Sequence, residues 1–124
     1  LGKEIIFTGS RYNVAELMLG AMDVFLFPSL WEGLGLAIVE AQAAGLPCIL
    51  SEQIPYEADI LSPLINRLPL SKSVGKWVEI IFDIRQKKKK EKLISQKDSL
   101  QIVLNSPFNL EVGKSKLESI YRQE

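Results

Sequence analysis

Histidine is absent from this 124-residue chain, and cysteine occurs once, as Cys48. Those shortages exclude the usual zinc ligand sets and any His-based triad within the segment, and a lone thiol excludes a disulfide framework. The four aspartates, Asp23, Asp59, Asp83 and Asp98, never form a D-x-D pair, so a metal-chelating transferase of that kind is unsupported. No G-x-x-x-x-G-K-[ST] loop occurs. Gly33 and Gly35 are followed by Ile38 where a dinucleotide fingerprint needs a third glycine, so a dehydrogenase reading fails there. Net charge is lacking too: fifteen basic and fifteen acidic residues cancel, and no global field favours nucleic acid or an anionic membrane. No apolar run approaches the roughly 20 residues of a membrane span. The opening Leu1-Gly2-Lys3-Glu4 has neither an initiator Met nor a signal-peptide apolar region. A strand pattern then begins at once in Glu4-Ile5-Ile6-Phe7-Thr8-Gly9, which reads as a piece cut from a larger protein.

What is present suits one domain. A hydrophobic content of 47% predicts a single core burying roughly two-thirds of the unfolded surface. The apolar segments read as strand 4–8, helix 13–21, strand 23–28, helix 35–44 and strand 47–51, with a short last strand within 65–70. Such alternation implies a parallel sheet with covering helices. After Ser73, a candidate cap, Val74, Trp77, Val78, Ile81 and Phe82 recur at helical spacing as an expected core stripe. Two further helices are expected at 89–104 and 109–122. The division is therefore an α/β core over 1–72 and a helical tail over 73–124. Cys48, in the buried-strand pattern Pro47-Cys48-Ile49-Leu50-Ser51, is expected to be an inert thiol, a usage that suits the cytoplasm.

One stretch carries most of the functional information. Pro28-Ser29 stops the strand ending at Phe27, Gly33 and Gly35 open a helix-favouring segment, and Gly45-Leu46-Pro47 closes it. In an open α/β sheet the loop leaving a strand's carboxyl end faces the ligand crevice. The first-turn amides, uncovered at the glycines, would face a phosphate at the positive end of the helix dipole.

Pro28-Ser29, Glu32-Gly33-Leu34-Gly35-Leu36 and Glu40-Ala41-Gln42-Ala43-Ala44-Gly45-Leu46-Pro47 together resemble the E-x7-E signature of GT-B-fold glycosyltransferases, family 4 most closely. The resemblance runs from about Ile5 to Leu70 and includes Phe7-Thr8-Gly9. It implies a Rossmann-like parallel sheet forming the carboxyl-terminal half of a GT-B fold. It also implies a retaining, metal-independent transfer from a nucleotide-diphospho-sugar, a uridine nucleotide before guanosine or adenosine, with no cofactor. By the same resemblance Glu40 accepts hydrogen bonds from the donor ribose, and Glu32 lies at the transferred sugar and is tied to catalysis. The backbone around Gly33, Gly35, Leu36 and Ala37 holds the diphosphate, and Ser10-Arg11-Tyr12 forms the candidate nucleobase loop. A carboxylate aimed at a diphosphate would be repelled, so both glutamates must serve neutral hydroxyls. A structural account, with Glu40 as a first-turn helix stabiliser and the glycines as turn formers, stands beside this reading.

The sequence departs from the family pattern at Ser51-Glu52-Gln53-Ile54-Pro55-Tyr56-Glu57-Ala58. Glu57 matches a family Glu, but Ile54-Pro55 does not supply the flexible glycines that precede it in the family. The resemblance further implies a missing amino-terminal domain, which brings the acceptor site and a basic pair for the diphosphate. The fragment alone is then expected to be inactive. It also implies a last helix, with Val112, Leu117, Ile120 and Tyr121, that packs back on that domain. The acceptor would be a saccharide or lipid-linked, commonly in bacterial capsule or exopolysaccharide synthesis. Lys87-Lys88-Lys89-Lys90 is the one charge concentration. It reads as a solvated helix face or turn, or as a peripheral contact with the inner face of a membrane; no interleaved aromatics suit nucleic acid. Two other functions remain open, a non-catalytic nucleotide-sugar-binding module and a basic interaction domain.

Overall fold

Three short apolar segments pair side by side. β1 (Phe25–Phe27), β2 (Cys48–Ser51) and β3 (Ile65–Leu68) make one parallel sheet in that order, with Phe25 opposite Cys48 and Cys48 opposite Ile65. These come from a computed structural model, which describes residues 2, 4–90 and 94–122. Parallel neighbours need a crossover. Between β1 and β2 this is the Pro28–Gly35 loop and α2 (Leu36–Ala43); between β2 and β3 it is two single 3-10 turns, Tyr56–Ala58 and Ser62–Leu64. α1 (Val14–Gly20) precedes the sheet, and α3 (Val74–Lys90), α4 (Gln96–Leu104) and α5 (Leu110–Tyr121) follow it.

All four residues of β2 are buried, as a central parallel strand covered on both faces should be. Period-two alternation sorts its side chains between two layers. Cys48 and Leu50 join Met18 of α1 and Ile38 and Ala41 of α2 in one cluster. Ile49 joins Leu68, Trp77, Ile80, Ile81 and Ile84 in another, so α3 covers the opposite face. A third cluster docks α4 onto α2 through Val39, Leu61, Leu64 and Val103. Gly45 permits that docking. Its φ of 72° is left-handed, and an added Cβ would lie 3.3 Å from the Gln96 Cα atom.

Gln42 shows how α2 is fixed to the chain after β2. Fully buried, its Nε2 donates to the carbonyls of Ile38 at 3.1 Å and Ala58 at 2.7 Å. Its Oε1 accepts from the amides of Ile60 at 2.9 Å and Leu61 at 2.8 Å. One amide thus satisfies three backbone groups of an irregular segment, which burial would otherwise leave unpaired at about 1–3 kcal/mol each.

Several sequence expectations need correction. Residues 4–8 form no strand: Ile6 is 82% and Phe7 93% exposed. A β-branched run has the propensity, but a strand needs a ladder partner, and no segment among the described residues pairs with the outer edge of β1. On α3, Trp77 and Ile81 face the sheet with Ile80 and Ile84, whereas Val74, Val78 and Phe82 are exposed. The helix carries apolar residues on two faces, and the bulkier one is buried. The helix expected from 89 begins at Gln96 instead, where the Ser95 hydroxyl accepts from the Asp98 amide at 3.1 Å. Residues 87–90 belong to the end of α3, and 91–93 lie outside the described residues. α5, capped by Asn109, buries no residue, and Leu117, Ile120 and Tyr121 are exposed.

Candidate active site

Proline ends β1. Pro28 has no amide to donate, and the chain leaves the sheet's carboxyl edge in the loop that reaches α2 at Leu36. The loop is tied to the sheet by Ser51, the last residue of β2, whose hydroxyl donates to the Ser29 carbonyl. The Ser29 hydroxyl in turn lies 2.8 Å from Glu32 Oε1 and 3.0 Å from the Trp31 carbonyl. Glu32 is half-buried, so its carboxylate is held from one side.

Gly33 and Gly35, equivalent by sequence, behave differently. Gly33 is exposed, and a Cβ there would meet nothing within 4 Å. Gly35 is buried with φ 71° as the residue before α2, and a Cβ would come 2.8 Å from Ile38 Cδ1. A side chain at 35 would therefore be strained twice. The Ile38 amide is already used, donating to the Gly35 carbonyl at 2.8 Å. Those of Leu36 and Ala37 are helix-start donors with no backbone acceptor among the described residues. α2 has no acidic residue in its first turn, so nothing there competes for an anion drawn to its positive end.

Glu40 lies in the second turn of α2, not the first as expected. The helix begins one residue later than the sequence pattern implied, with Gly35 outside it; that shift brings Glu40 nearer the helix start, yet at about 3.6 residues per turn it still falls in the second turn. The side chain is exposed and lines a cleft of about 410 Å³ with Ala15, Leu19, Ala43, Gln96 and Lys97. The two glutamates thus occupy different surroundings, Glu32 in the loop and Glu40 on the helix. Ser10, Arg11 and Tyr12 are exposed ahead of α1, where Arg11 Nε donates to Asn13 Oδ1 at 2.9 Å. α1 packs on α2, but Ser10–Tyr12 makes no hydrogen bond to the Glu32 loop among the described residues.

The loop after β2 has an anchor that the sequence reading missed. Arg67 of β3 grips Asp59 with Nε at 3.0 Å and Nη2 at 2.7 Å, and donates to the carbonyls of Ser51, Ile54 and Pro55. Its guanidinium also stacks 4.0 Å from the Tyr56 ring centre. All five donors are used, the pattern for which a planar fork is suited. The segment that lacks glycine is thereby held rigid, and Glu57 is exposed on it. Burial, and then the charge of Asp59, pushes the Cys48 thiol up to about 12, consistent with an inert packing role. Among the described residues no cluster of three His, Cys, Asp or Glu side chains could hold a metal ion.

The family model for Glycosyl transferases group 1 matches residues 1–97. The chain belongs to that family. Among curated relatives of this group 1 glycosyltransferase chain is EpsF of Bacillus subtilis (strain 168), assigned by its name to the glycosyltransferases; it is 45% identical over 78 residues, 63% of this chain and 20% of its own length. An Escherichia coli protein named UDP-Gal:alpha-D-GlcNAc-diphosphoundecaprenol alpha-1,3-galactosyltransferase is 53% identical over 51 residues, 41% of this chain and 13% of its own. The lipopolysaccharide core biosynthesis mannosyltransferase LpsB of Rhizobium meliloti (strain 1021) is 36% identical over 52 residues, 42% and 14% respectively. The group 1 chain thus spans a fifth or less of each relative. No solved structure matches it.

Two serines escaped the sequence reading as site residues. Ser29-Leu30-Trp31-Glu32 has the S-x-x-E spacing of a local hydroxyl–carboxylate pair, a signal that could have flagged Ser29. Ser51 had no local signal, because its partner lies 22 positions away.

Proposed function

We propose that this chain is the donor-binding part of a GT-B, family 4 glycosyltransferase. The whole enzyme moves a hexose from a nucleotide diphosphate to a hydroxyl acceptor, with retention of configuration and without a metal ion or cofactor. The observation that carries this reading is the start of α2. The left-handed Gly35, the open Gly33 and the first-turn amides of Leu36 and Ala37 sit beside a carboxylate held by Ser29. Backbone donors at a positive helix end suit the diphosphate, whereas Glu32 and Glu40 suit sugar and ribose hydroxyls. A uridine nucleotide is the proposed donor, and the name of the Escherichia coli relative supports it. A saccharide or lipid-linked acceptor, cytoplasmic action and bacterial surface-polysaccharide synthesis complete the proposal, with a second domain supplying the acceptor site. Replacing Glu40 by Gln tests donor recognition in the whole enzyme. A charge-assisted hydrogen bond of about 1.5–3 kcal/mol predicts a roughly 10- to 150-fold weaker uridine diphosphate affinity by calorimetry. Equal affinities would remove the ribose contact.

A contact with an anionic membrane is favoured by α3. Val74, Val78 and Phe82 stand exposed at four-residue spacing, with Arg85 and Lys87 exposed further along, and the lysine run ends the helix. An apolar stripe beside basic residues fits an interfacial helix, each basic residue adding about 1 kcal/mol near the surface. Vesicles containing phosphatidylglycerol should therefore co-sediment the protein at low salt, and Phe82→Ser or glutamines at 87–90 should reduce this. Equal binding to neutral vesicles, or no effect of either change, would count against it.

A further inference from the structure

We infer that Ser29, fixed through its carbonyl by Ser51, is a positioning residue that orients the Glu32 carboxylate for the sugar-transfer step. The inference rests on the proposed role of Glu32 at the transferred sugar.

Asp98 and Glu79 are each held at one oxygen, by Ser95 at 2.6 Å and Lys76 at 2.8 Å, but on exposed helix surface. Glu32 differs in being half-buried in the loop after β1, with its partner Ser29 itself bonded to the central strand. Asp59 gives both oxygens to Arg67, which leaves it little capacity for a ligand. Glu32 accepts the Ser29 hydroxyl at Oε1 alone, and Oε2 has no protein partner among the described residues. One oxygen fixes the rotamer while the other stays available to a substrate hydroxyl. The Ser29 hydroxyl has one proton and two acceptors within reach, Glu32 Oε1 at 2.8 Å and the Trp31 carbonyl at 3.0 Å. The charged acceptor makes the stronger bond.

Ser29 could not hold the carboxylate if its own backbone were loose. Its carbonyl accepts from the Ser51 hydroxyl, and Ser51 is fully buried at the end of the central strand, opposite Leu68. The Ser51 carbonyl accepts from Arg67 Nη1 at 3.3 Å. A chain of contacts thus runs from the sheet to the loop after β1, Arg67 to Ser51 to Ser29 to Glu32. The support of a reactive group by a second layer of fixed groups is what keeps such a site within productive geometry. Closing the turn needs only the Trp31 carbonyl as acceptor; Ser29 has Glu32 Oε1 within bonding distance as well, and closer.

The test uses the full-length enzyme with S29A, S29T, S51A, E32Q and the double variant S29A/E32Q. Loss of one hydrogen bond to a charged group predicts a kcat for S29A lower by roughly 10- to 150-fold, with donor KM within about twofold because the contact matters only at the reacting sugar. S29T keeps the hydroxyl and should restore kcat to within about threefold of wild type. In the E32Q background, S29A should cause no further loss, since the two act as one unit. Should S29A fail to fold, S51A carries the same expectation in weaker form, a lower kcat with unmoved KM. Normal turnover in S29A, or in S51A where S29A is unfolded, overturns the inference, as does a full additive loss in the double variant. Normal turnover in E32Q overturns the reading of Glu32 itself and the inference with it, whereas a defective E32Q beside a normal S29A overturns the positioning role alone.

Discussion

Cys48 and the two glutamates show how much a residue's chemistry depends on what surrounds it. The thiol occupies the central strand, fully buried, donating to the Leu46 carbonyl at 3.3 Å, and its pKa is raised from 9.0 to about 12. Burial favours the neutral form in the folded state. The stability it contributes is therefore fully present below pH 9.0 and lost as pH rises toward about 12. Denaturant titrations at stepped alkaline pH should show a steeper stability loss for the wild type than for Cys48→Ala; parallel curves would contradict the assignment. The inert thiol was legible in the sequence because an apolar strand pattern says where a side chain goes. Glu32's place in the loop between β1 and α2 was legible from Pro28 and the glycines that follow. The Ser51 contact was not, since it depends on a residue from another strand; Glu40's place in the second turn follows from a helix start at either 35 or 36.

Among the elements, α2 bears the most constraint. Gly35 opens it, Gln42 ties it to the segment after β2, and Gly45 lets α4 approach. Gly45→Ala should cost about 1–3 kcal/mol from the left-handed backbone alone, with more from the close approach to Gln96, seen as a lower melting temperature. A variant as stable as wild type would mean that the helix end relaxes freely. The alternating β and α elements were readable because strand and helix periods differ and Pro28 and Gly45 punctuate them. α3 was readable as a helix but not as to its buried face. Val74, Val78 and Phe82 match the period as well as Ile80 and Ile84 do, and only the sheet decides between them. Residues 4–8 had strand composition without a partner strand, which no local pattern reports.

On the scale of the whole molecule, exposed apolar groups cluster in the loop of the candidate site, and others lie on α5. Leu30, Trp31, Leu34 and Leu36 are open around the Glu32 loop, as are Leu110, Leu117 and Tyr121 on the last helix. Large exposed patches of this kind mark surfaces that bind something, and Leu30, Trp31, Leu34 and Leu36 lie in the loop, and at the helix start after it, for which donor binding is proposed. A half-open cleft leaves a diphosphate in water, where its attractions are screened. Transfer needs an acceptor oriented in line, worth on the order of 7–11 kcal/mol. The central claim, that α2's start binds the donor diphosphate, is tested most directly by titrating the labelled chain with uridine diphosphate and mapping amide shifts, alongside a transfer assay. The account predicts weak binding with shifts centred on Gly33 to Glu40, and no sugar transfer by this chain alone. Shifts centred on Lys87 to Lys90, or none near α2, would contradict it.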